Sequence, residues 1–83
     1  MNDSELADLV RRELLAVAPD LEGESIDPDV PFRAQFEIDS MDLLNFVIGL
    51  HRATGLDIPE TDYGRLGCVA DCVAYLKERL RDA

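Results

Sequence analysis

Hydrophobic residues recur at helical spacing in three stretches of the chain. In residues 3–17, 40–54 and 68–81, apolar side chains return every three or four positions, with polar or charged residues between them. This pattern is typical of amphipathic helices. The positions that define the three apolar faces are Leu6, Leu9, Val10, Leu14 and Val17, then Leu43, Phe46, Val47 and Leu50, and finally Val69, Cys72, Val73, Leu76 and Leu80. The sequence therefore predicts an all-α protein with three main helices.

The predicted helix boundaries carry residues that favour helix ends. Asn2 with Glu5 fits a loose capping box at the start of the first helix, although Asp3 or Ser4 could also cap it. Pro19 marks where this helix stops. Gly55 is a typical stop for the second helix.

Residues 19–39 lack helical periodicity and hold three of the four prolines. We interpret them as a loop of about twenty residues, a length that in compact domains often accompanies function. Four apolar residues are expected to hold this loop against the core as an ordered connector: Val30, Phe32, Phe36 and Ile38. Residues 56–58 are predicted to be extended, and a short turn of helix is predicted around residues 61–66. The chain, residues 1–83, is thus predicted to form one domain with three main helices and one short helix.

Acidic residues outnumber basic ones by 18 to 8, which gives a formal net charge of −10. Such a surface repels nucleic acid and anionic lipid and attracts basic partners. No apolar run approaches the ~20 residues that span a bilayer, and the amino terminus carries acids where a signal peptide carries bases. We therefore expect a cytoplasmic monomer that binds no nucleic acid and does not insert stably into membranes.

The two cysteines, Cys68 and Cys72, lie four residues apart on one predicted helical face. A disulfide between them would be poorly placed, so reduced thiols in a cytosolic protein are the simpler interpretation. Cys68 falls at the predicted start of the last helix, where its thiolate could be stabilised. His51, the only histidine, would complete three possible metal ligands, but the apolar face of the cysteines favours a core role, and no metal site is predicted.

Ser40 follows Asp39 at the predicted start of the second helix. The first N–H groups of a helix are unpaired and carry partial positive charge, so a phosphate ester on Ser40 Oγ would be stabilised there. Asp39 and Asp42 could dock the basic surface of a modifying enzyme, and they also suit a helix start. Local sequence alone favours the simpler interpretation, in which Asp39 caps the helix and Ser40 is a tolerated first residue.

The surroundings of Ser40 change that balance. The run DVPFRAQFEIDSMDLL, residues 29–44, resembles the region around the attachment serine of acyl carrier proteins. The matching positions are Asp29, Phe32 and the triplet Asp39-Ser40-Met41. The segments GLDIPETD and LGCVADCVAYL also resemble later parts of that family, so the resemblance covers nearly the whole chain.

The resemblance implies a small four-helix bundle whose Ser40 carries 4′-phosphopantetheine, with an acyl or aminoacyl group held as a thioester at the end of the arm. Such a protein performs no reaction itself. Its partners would be a phosphopantetheinyl transferase and acyl-loading, condensing or transferring enzymes. The implied bundle core is Leu6, Val10, Phe32, Phe46, Val47, Leu50, Val69, Val73 and Leu76. A second apolar stripe on the second helix (Met41, Leu44 and Ile48) would face partners beside the arm or line an opening for the cargo. The recognition surface would comprise Asp39, Met41, Asp42, Leu44, Asn45 and Ile48.

The chain departs from the family pattern on both sides of Ser40. Residues 35–37, Gln-Phe-Glu, stand where the family often has Asp-Leu-Gly. If the backbone at Glu37 required a positive φ, a non-glycine residue would cost about 1 kcal/mol, so we expect a local rearrangement of the loop. After Asp42 the second helix has no acid, whereas carriers of fatty-acid synthesis usually have several glutamates there.

This acid-poor helix favours a specialised carrier over one for general fatty-acid synthesis. A peptidyl or aminoacyl carrier is the nearby alternative. Two other classes remain as hypotheses: an acidic helical adaptor that is never modified, and a small hydrolase or transferase that uses Ser40, although no candidate base lies near it in sequence.

Overall fold

The computed structural model describes the backbone of residues 1–82 and the side chains of residues 1–81. It contains four α-helices and two 3₁₀ segments, and no strand occurs within this range. The helices are α1 (Asp3–Val17), α2 (Phe32–Gln35), α3 (Ser40–Thr54) and α4 (Val69–Asp82), and the 3₁₀ segments are Pro19–Leu21 and Glu60–Arg65. The predicted all-α fold is confirmed, and α4 starts one residue later than predicted. Across the described chain, none of the helices combines the length and apolarity needed to cross a bilayer.

Local sequence signals fix the ends of α1 and α3. Asn2 Oδ1 accepts a hydrogen bond from the Glu5 amide (2.8 Å), and Glu5 Oε1 accepts one from the Asn2 amide (3.0 Å). This is the predicted capping box. Gly55 ends α3 in the left-handed region, with φ of 76°, where a side chain would be strained.

The core lies where α1 packs against both α3 and α4. The rings of Phe32 and Phe46 meet edge to face, with centroids 5.6 Å apart, and join α2 to α3. Each such buried side chain contributes roughly 1.5–3 kcal/mol relative to an exposed one. Of the predicted core, Val73 is only half-buried, and the other members are buried: Leu6, Val10, Phe32, Phe46, Val47, Leu50, Val69 and Leu76.

Segment 19–39 is an ordered connector, as predicted. Phe32 and Ile38 are buried, and Val30 and Phe36 are half-buried. Two backbone hydrogen bonds join the segment to the start of α4: the Phe32 amide donates to the Gly67 carbonyl (2.7 Å), and the Ala70 amide donates to the Pro28 carbonyl (2.9 Å). The connector therefore holds the residues before Ser40 against the bundle.

A buried tyrosine ties the second 3₁₀ segment to α4. The Tyr75 hydroxyl donates to Asp62 Oδ2 (2.7 Å) and accepts from Arg79 Nη1 (3.2 Å). Arg79 Nη2 also donates to the Asp57 carbonyl (3.0 Å). Burial raises the pKa of Tyr75, and the hydrogen bond to Asp62 adds to this shift. The sequence pattern did not reveal this network.

The side chain of Glu13 on α1 lies over Gly49 of α3. A Cβ atom built on Gly49 would lie 2.6 Å from Glu13 Oε1. The contact is with the end of a flexible side chain and not with the backbone of α1.

Candidate functional site

Ser40 is the first residue of α3, and its side chain is exposed. Asp39 caps the helix: its Oδ1 accepts from the Asp42 amide (2.9 Å), and Asp42 Oδ2 accepts from the Asp39 amide (3.4 Å). The two aspartates form a reciprocal capping box, so the predicted cap at Asp39 is confirmed. It is compatible with chemistry at Ser40, because the cap uses the flanking carboxylates and leaves the hydroxyl accessible.

A cation contacts the serine hydroxyl. Arg33 Nη2 donates to Ser40 Oγ at 3.3 Å. Arg33 lies in α2, seven residues before Ser40 in the chain, and its side chain is exposed. An arginine cannot accept a proton, so this contact provides no general base for the hydroxyl.

Sequence reasoning missed Arg33. Its helix has only four residues, which is too short for periodicity to predict. A signal was nevertheless present, because Arg33 is the only lysine or arginine between Arg12 and Arg52 in a stretch that is otherwise rich in acids.

An apolar cleft of about 430 Å³ lies beside Ser40. Arg33 and Ser40 both line it, and both are exposed, which places them at its mouth. Its walls are mostly apolar side chains: Phe32, Leu43, Leu44, Phe46, Val47 and Leu66. The site thus combines a reachable hydroxyl, a positive charge and a space that an apolar group can enter.

The second apolar stripe of α3 lies at the surface. Met41 is 64% exposed, and Leu44 and Ile48 are each 39% exposed. Their spacing of three and four residues places them on one face of α3, and Asn45 beside them is also exposed. Leu44 lines the cleft, whereas Ile48 borders a separate depression near His51 and Met41 lines neither.

The cysteines lie in the core rather than at a reactive position. Both are buried, and Cys72 Sγ donates to the Leu66 carbonyl at 3.6 Å. Burial raises the pKa of both thiols. The expectation that the Cys68 thiolate would be stabilised at the start of α4 is therefore wrong, because the cost of burying its charge exceeds the effect of the helix start. His51 lies elsewhere, with Nδ1 2.7 Å from the Leu56 carbonyl oxygen.

The unusual residues before Ser40 have structural roles. Gln35 Nε2 donates to the carbonyls of Asp27 (2.9 Å) and Val30 (2.8 Å), and its Oε1 accepts from the Asp27 amide (3.1 Å). Among the described residues only glycines have positive φ, so Glu37 avoids the strain considered above. The loop before Ser40 is held by the Gln35 side chain without a glycine at position 37.

Comparison with known proteins places this fold and site in a family. The chain matches the family model described as "Phosphopantetheine attachment site" over residues 5–76. It is 28% identical over 67 residues to an acyl carrier protein of Rubrobacter xylanophilus, covering 81% of this chain and 83% of the relative. It is 27% identical over 77 residues to the acyl carrier protein of Lactobacillus acidophilus, covering 93% and 95%, and 26% identical over 74 residues to that of Rickettsia bellii, covering 86% and 91%.

The bundle and its matched attachment region define a carrier of a covalently bound group. This chain belongs to the acyl carrier protein family, and the group that its attachment domain carries is 4′-phosphopantetheine. The residues of the site fit that group, since an exposed hydroxyl and an arginine without a carboxylate partner among the described side chains lie together at the cleft.

Proposed function

We propose that Ser40 Oγ is the attachment point of the arm and that the chain carries acyl intermediates between enzymes of a specialised biosynthetic pathway. The observation that carries this proposal is the position of Ser40, exposed at the capped start of α3 and at the mouth of an apolar cleft. The other serines, Ser4 and Ser25, are exposed but line no cleft of this kind. When bound, the arm supplies a thiol that holds the acyl group as a thioester.

The chain's own contribution is to present Ser40 and to receive partner enzymes. The capping box of Asp39 and Asp42 holds the start of α3, and each carboxylate keeps a second oxygen that a basic enzyme surface could contact. The exposed stripe offers apolar contact beside these charges. We therefore propose that a phosphopantetheinyl transferase and later acyl-loading, condensing or transferring enzymes recognise Asp39, Met41, Asp42, Leu44, Asn45 and Ile48.

The arm would have one predictable attachment site. The purified protein is incubated with coenzyme A and a broad-specificity phosphopantetheinyl transferase, and its intact mass is measured. Wild type and Ser25→Ala should each gain one phosphopantetheinyl group, and Ser40→Ala should gain none. A wild-type protein that gains nothing would instead favour an unmodified adaptor, and an arm on Ser40→Ala would place the attachment elsewhere. Arg33, the side chain that contacts Ser40 Oγ, supplies no general base for a hydrolase that would use this serine.

The cleft favours an acyl over an aminoacyl cargo. Its walls are apolar, so they favour an aliphatic chain and offer little to a charged amine. The test loads the modified protein with acetyl, hexanoyl and glycyl groups and follows the amide NMR signals of the cleft residues. Hexanoyl should shift the signals of Phe46 and Leu66, and acetyl and glycyl should leave them near their unloaded positions. Equal spectra for all three cargoes would contradict the proposal.

The surface of α3 supports a specialised pathway. Beyond Asp42 this helix carries no acid and includes His51 and Arg52. An enzyme whose basic surface evolved to bind an acidic helix would gain little attraction here. We therefore expect poor use of the modified protein by a malonyl-transfer enzyme of fatty-acid synthesis. Efficient malonylation, compared with a housekeeping carrier in the same assay, would contradict this part of the proposal. We also propose a cytoplasmic, monomeric protein without catalytic activity of its own.

A further inference from the structure

We propose that Arg33 sets the direction of the prosthetic arm by pairing with the phosphate that esterifies Ser40. This inference rests on the proposed attachment at Ser40. Arg33 Nη2 lies 3.3 Å from Ser40 Oγ, the oxygen to which the phosphorus would be bonded. The remaining phosphate oxygens would therefore lie within reach of the same guanidinium. A guanidinium matches phosphate geometry with two parallel N–H donors.

The guanidinium is available for this role. Among the side chains that the structure describes, no carboxylate lies within ion-pair distance of Arg33, whereas Arg65 pairs with Glu78 and Arg79 pairs with Asp62. The hydroxyl of Ser40 is the polar contact of this side chain. Its donors can thus turn to a phosphate without breaking an existing ion pair.

The backbone that carries Arg33 is held in place. Its neighbour Phe32 is 1% exposed and donates through its amide to the Gly67 carbonyl (2.7 Å). The Phe36 amide donates to the Phe32 carbonyl (2.8 Å), which closes α2. Because Phe32 is buried and Phe36 packs partly against the core, only the side chain of Arg33 has to be ordered when the phosphate is present, and the conformational entropy lost is that of one side chain.

The local charge also favours a cation beside the phosphate. Asp39 and Asp42 lie in the same turn as Ser40, and a phosphodiester adds another negative charge beside them. Arg33 is the only lysine or arginine between Arg12 and Arg52. Its pairing would offset the repulsion between the phosphate and the two carboxylates.

The pairing would direct the arm towards the cleft. Arg33 and Ser40 both line the mouth of the cleft, so a phosphate held between them lies at that mouth. An arm that leaves from this point starts over the apolar walls rather than along the exposed face of α3. Arg33 is therefore a positioning residue for the arm.

The test compares forms with and without the arm for wild type, Arg33→Gln and Arg33→Lys, with modification driven to completion and checked by intact mass. Arg52→Gln is the matched control, because it removes the same charge from an exposed position twelve residues along α3, roughly 18 Å from Ser40. Two quantities are measured: the ³¹P NMR shift of the phosphodiester, and the urea midpoint of unfolding with and without the arm.

Without the arm, Arg33→Gln should unfold at the wild-type midpoint. With the arm, it should unfold at a lower urea concentration than wild type, and its ³¹P signal should move and sharpen. Arg33→Lys should fall between the two, and Arg52→Gln should match wild type in the ³¹P shift and in the change that the arm causes. Added salt should shrink the difference between wild type and Arg33→Gln.

An arm on Ser40 with identical ³¹P shifts and identical midpoint changes in wild type and Arg33→Gln would overturn the role of Arg33 and leave the proposed function intact. A wild-type protein that accepts no arm at all would overturn both. The two failures are therefore distinguishable.

Discussion

The hydroxyl of Tyr75 provides a measurable test of how the second 3₁₀ segment is held to α4. The substitution Tyr75→Phe keeps the buried ring and its contacts with the guanidiniums of Arg65 (4.8 Å) and Arg79 (5.7 Å). It removes the 2.7 Å hydrogen bond to Asp62 and the 3.2 Å hydrogen bond from Arg79. The change is therefore confined to one polar atom.

The expected loss of stability depends on how deeply Tyr75, Asp62 and Arg79 are buried. Hydrogen bonds to charged groups contribute roughly 1.5–3 kcal/mol. Tyr75 is 1% exposed, but the side chains of Asp62 and Arg79 are 25% and 34% exposed, so water can replace part of what is lost. We expect a loss of about 1–2 kcal/mol in the free energy of unfolding.

Urea unfolding followed by far-ultraviolet circular dichroism measures this loss. With a urea dependence of about 1 kcal/mol per molar for a protein of this size, the midpoint should fall by about 1–2 M. Tyr63→Phe is the matched control, because Tyr63 is half-buried and its hydroxyl has no hydrogen-bond partner among the described residues. It should change the free energy of unfolding by less than about 0.5 kcal/mol.

Two results would refute this reasoning. The first is a midpoint shift for Tyr75→Phe no larger than that for Tyr63→Phe. The second is an equal cost of Tyr75→Phe in the wild type and in an Asp62→Ala background, since a real hydrogen bond to Asp62 requires a smaller cost once Asp62 is absent.

Three further predictions concern the loop, the helix contact and alkaline pH. Gln35→Glu should lower the free energy of unfolding at neutral pH by about 1–3 kcal/mol, because it turns the donor for two loop carbonyls into an acceptor; a urea midpoint equal to that of wild type would contradict this. Gly49→Ala should raise the free energy of unfolding by roughly 0.5–1 kcal/mol, because alanine has the higher helix propensity and the atom nearest to the new methyl group is the movable end of Glu13. A lower melting temperature would show that Glu13 cannot move. Because the pKa of Tyr75 is raised, the folded state binds the phenolic proton more tightly than the unfolded state does. The stability that this proton contributes is complete below pH ~10 and is lost as pH rises through the folded-state pKa. Stability measured against pH should therefore fall less steeply above pH ~10 in Tyr75→Phe than in wild type, and parallel curves would count against the shift.

Features that depend on neighbouring residues were predictable from the sequence. The helical periodicity of α1, α3 and α4 and the capping residues Asn2 and Asp39 are local, and the structure confirms them. The anchoring of the connector by Phe32 and Ile38 was also predictable, because large apolar residues in an otherwise polar segment gain stability when they are buried against the core.

Features that depend on tertiary contacts were not predictable in this way. Helix α2 has four residues and is held by contacts with the segment before α4. Tyr75 stands beside the apolar face of α4, and its burial depends on a partner thirteen residues away in the chain. Arg33 meets Ser40 only because the connector folds back against the bundle. Ser40 itself could be identified from its motif, whereas its contact with Arg33 could be found only from the three-dimensional structure.

The burial of both cysteines bears on how a carrier keeps its cargo. Thioesters exchange with any thiolate that can reach them, and Cys68 and Cys72 are the only cysteines of the chain. Both are buried, and burial raises the pKa of each thiol, which disfavours the thiolate form that would attack an acyl group on a nearby arm. The fold therefore disfavours transfer of a bound acyl group to the protein's own cysteines.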